Sequence, residues 1–416
     1  MAKIRPLYLL SVLLLGVVAA FLVWRTVATN MADLALQEDE PNAATRALRW
    51  NPRHAEAHYL EGVAQVNADP SRAAADFSSA IRNNPADGVG YAALSRLNED
   101  AGRLDEAGQA MQAAAQMAPR RIDVQFEAAR FWFRQGDIPR AMQHLNVALT
   151  FGDFLRPDIF PDLLKLAEDP AAREATFAAL LKQPVAWFPQ FFSYVAAHAG
   201  SVDTMRALLK MQAGGPNVIT ADGLRSHLQR LQRENLWLES YLVWLNSLGQ
   251  NRLRDVGNLF NGGFEEEITN LGFDWIVTPA PQVVIDTAPT YGTTGQKALR
   301  VVFRGPRIQF QHVYQYTMLN PGAYALHGRV RTDSLETPEG VRWSTYCAGS
   351  ATALAHSPSF KGTDHWQHFA MSFEIPAKNC TAQMLRLELA GRSALDYQAR
   401  GTIWLDELSV VRQKNN

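Results

Sequence analysis

Cysteine and net charge are both scarce in this chain of 416 residues. Two cysteines cannot form a disulfide-rich scaffold or a four-thiolate zinc site. The 40 Lys and Arg residues nearly balance the 41 Asp and Glu residues, and no basic run departs from that balance, so nucleic acid is not expected as a partner. A hydrophobic share of 47% excludes wholesale disorder, and the length fits two or three domains.

Catalytic motifs are also missing. The sequence contains no phosphate-cradling glycine loop, nucleophile elbow or dinucleotide fingerprint. His54 and His58 have the i, i+4 spacing of a zinc helix, but the accompanying glutamate and a third ligand are absent. The sequence therefore predicts a protein that is not an enzyme. A glycan hydrolase, the other interpretation, would need a pair of acids in one cleft.

An apolar run of 18 residues, Leu7 to Trp24, stands near the amino terminus. As a helix it would be about 27 Å long, enough to cross a bilayer core. Lys3 and Arg5 precede it, which favours a cytoplasmic amino terminus. The run exceeds the apolar region of a signal peptide, and no good cleavage site follows, so an uncleaved anchor is preferred. We predict a cytoplasmic tip and single-pass inner-membrane anchor over residues 1–25, with the bulk of the chain in a bacterial periplasm.

Residues 26–153 show a period of about 34 residues. Asn51-Pro52, Asn84-Pro85 and Ala118-Pro119 recur at intervals of 33 and 34, and small residues flank a large one in each unit. These positions are Ala73, Phe77 and Ala80; Ala107, Met111 and Ala114; and Ala141, Leu145 and Ala148. The pattern resembles the tetratricopeptide repeat, which implies stacked helix pairs that dock protein partners in a groove. The end of the membrane helix is expected to complete a partial first unit.

Residues 154–250 keep helical spacing but lose the period, so we predict degenerate repeats and a cap. Aromatic clusters here are interpreted as core rather than as a ligand surface. After Gly249 the pattern changes to short alternating segments, which predict an antiparallel β-sandwich over residues 258–412. The predicted strands are Trp275–Val277, Ala298–Phe303, Ile308–Met318, Gly322–Thr332, Val341–Cys347, Trp366–Ile375, Ala382–Ala390 and Thr402–Val411.

The sandwich resembles jelly-roll carbohydrate-binding modules of families 4 and 9. The motifs behind this are, in order, Asn261-Gly262-Gly263-Phe264-Glu265, Trp275, Gly295–Val301, Pro321–Tyr324, Thr363–Trp366 and Ile403–Leu408. The resemblance implies a possible structural calcium ion held by Glu265 and Asp406; the alternative is that both cap turns or pair with arginine. It also places Trp366 and Trp404 in positions that are usually core.

Strand alternation suggests a glycan-binding surface, because outward arginines can hold an acidic glycan through paired hydrogen bonds. Its candidate residues are Gln311, Gln315, Arg329, Arg331, Arg342 and Tyr346. The other interpretation is an ordinary solvated sheet face. Cys347 and Cys380, 33 residues apart, are expected to form a disulfide if the domain is exported, the alternative being two buried thiols.

Together these observations predict an α+β multidomain protein: a transmembrane helix, an α-solenoid and a carboxy-terminal jelly roll. The predicted function is a periplasmic scaffold in cell-envelope or exopolysaccharide assembly or export, docking proteins on the solenoid and glycan on the sandwich. The alternative is a pure protein-interaction scaffold for secretion or pilus assembly, with no sugar binding.

Overall fold

The computed structural model describes residues 6–38, 40–305, 308–391, 393 and 396–413, and the side chains of all of these except residues 6–10. The predicted cytoplasmic residues 1–5 lie outside this part of the chain. One compact unit contains the chain up to Phe188 together with Arg206–Asn217. The other contains Pro189–Met205 and the chain from Val218 onward. The helical first half and the antiparallel second half confirm the predicted α+β class.

The first helix, α1, spans Pro6–Gln37 without a break. Its segment Ser11–Gln37, 27 residues, is long and apolar enough to cross a membrane, and its most apolar stretch is almost entirely unburied. The far end packs against α2, Ala43–Trp50, where Ala32, Ala35, Ala47 and Ala57 form a buried cluster. Small side chains let the backbones approach, so α1 continues into the first half-repeat.

Three helix pairs follow in the first unit. They are α3 (Ala55–Gln65) with α4 (Pro70–Asn83), α5 (Val89–Asp100) with α6 (Leu104–Met117), and α7 (Ile122–Arg134) with α8 (Ile138–Phe151). The repeating alanines are buried, with Phe77, Met111 and Leu145 between them. The turns of the second and third pairs use Gly102 and Gly136 at a φ of 75°. The first pair has no such glycine, and Asp69 caps α4 by accepting from the Arg72 amide at 3.0 Å.

The remaining helices are α9 (Arg156–Glu168), α10 (Pro170–Phe177), α11 (Phe188–His198), α12 (Val202–Gln212), α13 (Ala221–Arg233), α14 (Trp237–Ser247) and α15 (Gln250–Leu253). Trp187, Phe191 and Phe192 are fully buried, which confirms the core interpretation of that cluster. The predicted continuous segment Leu224–Leu248 is two helices, because Asn235 between them adopts a φ of 59°.

Helices α13 and α14 belong to the same compact unit as the sandwich, although the sequence placed them with the solenoid cap. The Trp244 ring lies 5.3 Å from that of Phe260 and 5.6 Å from that of Phe273, centroid to centroid. Trp237 lies 4.9 Å from Tyr316. The aromatic stripe of α14 is therefore buried by the β-domain.

Within the described residues the sandwich has ten strands, where the sequence predicted eight or so. They are β1 (Ile276–Val277), β2 (Val283–Pro289), β3 (Lys297–Phe303), β4 (Val313–Thr317), β5 (Gly322–Glu336), β6 (Val341–Cys347), β7 (Ala353–His356), β8 (Gly362–Ile375), β9 (Gln383–Leu389) and β10 (Arg400–Arg412). The first sheet has the order β1-β4-β9-β6-β7 and the second β2-β3-β10-β5-β8, with every pairing antiparallel. Inward side chains of both sheets form one core that includes Trp275 and Trp343.

The predicted disulfide between Cys347 and Cys380 is present. Cys347 ends β6, and Cys380 lies three residues before β9, the neighbour of β6 in the first sheet. Their Cα atoms are 4.9 Å apart, which is within the usual range for a bridge. The bridge closes a 33-residue excursion through β7 and β8.

Candidate functional site

The facing of β4 is the reverse of the sequence prediction. Val313, Gln315 and Thr317 point into the core, while Tyr314 and Tyr316 point outward. Gln315 is 0% exposed, and its amide is satisfied by the Phe260 backbone, which donates to Oε1 at 3.0 Å and accepts from Nε2 at 2.9 Å. The predicted strand began at Ile308, but residues 308–312 are irregular and shift the alternation by one. Gln315 is thus unavailable to a ligand on the outer face.

The six predicted glycan-binding residues do not share one surface. Arg342 and Tyr346 lie on β6 of the first sheet, whereas Arg329 and Arg331 lie on β5 of the second. Gln311 is exposed in the irregular segment before β4. Arg342 and Tyr346 are therefore on the opposite face of the sandwich from Arg329 and Arg331, because each sheet turns its outward residues away from the common core.

The outer face of the first sheet collects polar and aromatic side chains from four strands. Strand register places Tyr314 beside Arg386, Arg386 beside Ser344, and Ser344 beside His356. Arg342 lies beside Glu388 in the next row. We call this set the tyrosine face: Tyr314, Arg342, Ser344, Tyr346, His356, Arg386 and Glu388.

Glu388 is the centre of the tyrosine face. Its side chain accepts from Ser344 Oγ at 2.7 Å, from Tyr346 Oη at 2.8 Å, and from Arg386 Nη2 and Nε at 2.7 and 3.0 Å. Arg342 Nη2 lies 3.5 Å away. Burial opposes the charge, but hydrogen bonds from Ser344, Arg386 and Tyr346 outweigh it, so the pKa of Glu388 is lowered. The residue is an ionised anchor that fixes the donors around it.

The arginines keep part of their hydrogen-bonding capacity on this face. Arg386 lies over the Tyr346 ring, 4.4 Å from its centroid, and is half-buried. Arg342 is also half-buried; its Nε is buried without a hydrogen-bond partner among the described residues, so only the outer part of its guanidinium can reach a ligand. Tyr314 is half-buried and presents its ring at the end of the row. A ligand would therefore meet two guanidinium groups and one aromatic ring.

Ser344, His356 and Glu388 resemble a nucleophilic triad in composition but not in connectivity. Ser344 Oγ contacts both His356 Nδ1, at 2.8 Å, and Glu388 Oε1. In a working triad the carboxylate orients the histidine instead of bonding the hydroxyl. Burial and the nearby Arg342 lower the pKa of His356. The cluster is organised around the glutamate, so it gives no support to the hydrolase interpretation.

The outer face of the second sheet is a ladder of arginine and tryptophan. Trp404 lies between Arg300 and Arg331, 5.3 and 4.7 Å from its ring centroid. Arg331 also lies 5.8 Å from Trp366. Both tryptophans are half-exposed and lie outside the buried core, contrary to the sequence expectation. Arg329 donates to the Gly292 carbonyl at 2.6 Å. Arg300 pairs with Asp286, whereas Arg331 contacts only the two tryptophan rings and Arg329 Nε has no hydrogen-bond partner among the described residues.

Glu265 and Asp406 lie close together where the start of the domain meets β10. Asp406 is 1% exposed, and its Oδ2 makes no hydrogen bond to any described residue. Burial raises the pKa of Asp406, and the negative charges of Glu407 and Glu265 raise it further. A hydrogen bond from the Thr293 hydroxyl acts in the opposite direction but is outweighed. Glu265 accepts from the Gln296 and Lys297 amides at 2.7 and 2.9 Å. Gly295 permits this approach, since an added Cβ would stand 2.0 Å from Glu265 Oε1.

A buried carboxylate oxygen without a partner, beside further acids, fits a hard cation such as calcium. Within the described residues no three or more His, Cys, Asp or Glu side chains come together as a metal site. Any remaining ligands would have to be hydroxyl or backbone carbonyl oxygens.

The solenoid contains a groove of about 560 Å³ within the first unit. Its charged lining is mainly acidic, with Glu99, Asp100, Asp123 and Glu127. Arg134 donates to Glu99 at 2.7 and 2.9 Å, and this hydrogen bonding lowers the pKa of Glu99. Val63, Val89 and Leu97 supply apolar surface. The groove combines apolar and acidic surface, which would suit a basic segment of a partner.

The tetratricopeptide repeat family model matches residues 99–151, from the end of α5 to α8. This segment is therefore similar to tetratricopeptide repeats, which suggest protein–protein interaction. No curated protein matches the chain.

Solved structures similar to parts of the chain include a family 4 carbohydrate-binding module, 17% identical, covering 37% of this chain and 99% of that one with a TM-score of 0.29. A xylan-binding domain from Paenibacillus barcinonensis is 15% identical, covering 37% of this chain and 94% of that one, with a TM-score of 0.26. The PilF protein of Pseudomonas aeruginosa is 16% identical, covering 54% of this chain and 90% of that one, with a TM-score of 0.27.

Proposed function

We propose that this protein is a membrane-anchored periplasmic scaffold that docks a protein partner on its solenoid and contacts glycan through the tyrosine face, in cell-envelope or exopolysaccharide assembly or export. The observation that carries the glycan part is the arrangement around Glu388. One buried carboxylate, which also accepts from the buried Ser344 and Tyr346, holds the half-buried Arg386 in a fixed position. A guanidinium that is positioned in advance lowers the entropic cost of binding an anionic ligand.

The chemistry of the tyrosine face suits an acidic saccharide. Arginine forms paired hydrogen bonds to carboxylates, and Arg342 and Arg386 both retain N–H groups for them. The Tyr314 ring offers a flat apolar surface for a pyranose ring. The two arginines remain partly hydrated, so each hydrogen bond to a saccharide should add only modestly to the binding affinity. The arrangement of the whole face should provide the specificity.

The periplasmic placement rests on two further features. Helix α1 has the length and composition of a single membrane anchor. The Cys347–Cys380 bridge is typical of proteins outside the reducing cytoplasm. Cysteine labelling of the full chain in intact and permeabilised bacterial cells, at an engineered exposed position such as Glu374→Cys, would place the sandwich on one side of the membrane.

Arg342→Gln and Tyr314→Ala are each expected to weaken binding of acidic oligosaccharides about tenfold, equivalent to about 1.4 kcal/mol. Each change removes one contact from the tyrosine face without removing Glu388. Binding would be measured by calorimetry on the full chain in detergent, using oligogalacturonate as probe and circular dichroism to check folding.

The matched control is Arg331→Gln, which changes an arginine on the opposite face of the sandwich. Its affinity should equal that of the wild type. An equal loss of oligosaccharide affinity in Arg331→Gln and Arg342→Gln would contradict the assignment of glycan binding to the tyrosine face. A folded wild type that binds neither acidic nor neutral oligosaccharides would leave the protein-interaction scaffold as the function.

We further propose that Asp406 and Glu265 hold a structural calcium ion. Adding Ca²⁺ is expected to raise the melting temperature of the sandwich, because an ion at 100 times its dissociation constant stabilises the folded state by about 2.7 kcal/mol. The increase should disappear in Asp406→Asn and persist in Glu267→Gln, which changes an exposed acid in the same stretch. The same melting temperature with millimolar Ca²⁺ and with a chelator would exclude the ion.

A further inference from the structure

A second cavity lies wholly within the unit that contains the sandwich, where helix α13 faces the β1–β4 edge of the first sheet. Its volume is about 820 Å³, which falls in the range of small-molecule and saccharide sites. The wall from α13 contains Arg225, Gln229 and Arg233. The wall from the β-domain contains Asn270, Tyr314 and Tyr316.

The α13 wall follows from helical spacing. Arg225, Gln229 and Arg233 recur every four residues, so they share one face of the helix. That face carries two positive charges and a side-chain amide, while the buried Leu231 lies on another face. Within the described part of the chain, the cavity lining contains these two arginines and no carboxylate. The cavity therefore complements a negatively charged ligand.

The two arginines are held differently. Arg225 Nε donates to the Asn270 carbonyl at 3.3 Å, and its Nη1 pairs with Asp222, which is largely exposed and outside the lining. Arg233 is exposed, with no hydrogen bond or ion pair to any residue that the structure describes. Arg233 thus presents the uncompensated charge, and Arg225 presents a positioned guanidinium whose charge is partly neutralised.

The cavity and the tyrosine face meet at Tyr314. Tyr314 lines the cavity and is also the register partner of Arg386. Partly exposed polar positions consequently run from α13, across Tyr314, to Arg386 on β9 and Arg342 on β6. Strand spacing is about 4.8 Å, so the row from β4 to β6 alone extends about 10 Å, roughly the length of two sugar residues.

We propose that the α13 cavity is a second subsite for the same acidic polysaccharide, in which Arg233 and Arg225 bind uronate carboxylates of a chain that continues across the tyrosine face. This deepens the proposed function and rests on it. Amide side chains of Gln229, Gln232 and Asn270 provide partners for sugar hydroxyl groups. The helical segment would then belong to the glycan-binding module, which agrees with its place in the same compact unit.

Arg233→Gln in the full chain is expected to weaken binding of oligogalacturonate of six or more residues about tenfold, and to reduce the salt dependence of binding. Binding of the disaccharide, which can be held by the tyrosine face alone, should change less than twofold. Asp222→Asn should tighten binding of the long oligomer, because it releases Arg225 from its ion pair. Calorimetry at two salt concentrations measures all three effects.

Arg254→Gln is the control, because Arg254 is exposed and lies outside the cavity lining. Arg233→Lys should recover part of the affinity, which a purely structural defect would not allow. If Arg233→Gln binds the long oligomer as the wild type does while Arg342→Gln does not, the subsite is wrong and the tyrosine face stands. If the wild type binds no oligomer, both proposals fail. Equal competition by poly-glutamate would overturn the assignment to a saccharide.

Discussion

Replacing Cys347 and Cys380 together with serine is expected to lower the free energy of unfolding of the β-domain by about 3–4 kcal/mol. The bridge closes a loop of 33 residues, and loop-closure entropy of the unfolded chain predicts a loss of that size. Both half-cystines are buried against the sandwich core, so the two hydroxyl groups add a desolvation cost. Urea unfolding of the full chain, followed by tryptophan fluorescence, would show an earlier transition for the β-domain.

Reductant provides the matched comparison for this variant. Dithiothreitol should shift the wild-type transition by a similar amount and leave the double serine variant unchanged. The transition of the solenoid should be the same in all samples, because neither cysteine belongs to its unit. A wild-type transition that is insensitive to reductant, with the bridge shown to be reduced, would contradict the stabilising role. The result also bears on location, since a domain that depends on its bridge would be weakened in a reducing cytoplasm.

The solenoid was the most predictable part of the fold because its constraints are local and repeated. Ala107 and Ala141 each recur where two helices cross, and the same contact recurs in every pair. Phe77 shows how tight the contact is: a Cβ added to Gly62 would lie 2.5 Å from the ring. The same helix–helix contact occurs in three successive units. Positions that are each weakly informative therefore indicate the architecture when they are taken together.

The tyrosine face was less predictable because strand facing depends on where a strand begins. Treating Ile308–Met318 as one strand put Gln315 outside and Tyr314 inside. The irregular stretch before Val313 reverses both. A buried Gln315 is tolerated only because the Phe260 backbone satisfies its amide, and that contact joins residues 55 positions apart. Nothing local in the sequence identifies such a partner.

Glu388 was missed although a signal was present. In the predicted strand Ala382–Ala390, Leu385, Leu387 and Leu389 alternate with Arg386 and Glu388. This alternation places an arginine and a glutamate on the outer face. The convergence of Ser344 and Tyr346 on Glu388 depends on the register of β6 against β9, which only the structure supplies. The assignment of α14 to the β-domain is a similar case, since Trp237 and Trp244 only require burial and do not specify a partner.

Glu388→Gln is expected to destabilise the β-domain by about 2–3 kcal/mol at neutral pH, because it removes the charge from several charge-assisted hydrogen bonds in a site that is 7% exposed. Glutamine can still accept from Ser344 or Tyr346, but Arg386 and Arg342 lose their shared counter-ion. The positioned donors of the tyrosine face should loosen, so glycan affinity should fall together with stability. Glu374→Gln, an exposed glutamate on β8, should change stability by less than about 0.5 kcal/mol.

The pH dependence separates the charge of Glu388 from its shape. The pKa of Glu388 is lowered from the ordinary value of 4.5, so the folded state binds this proton more weakly than the unfolded state does. The stabilisation by the carboxylate is therefore complete above pH 4.5 and is lost as the pH falls through the folded pKa. The difference in melting temperature between the wild type and Glu388→Gln should be largest at neutral pH and should become smaller in acid. Melting temperatures between pH 3 and 8 would test this, and a difference independent of pH would mean that packing rather than charge holds the face together.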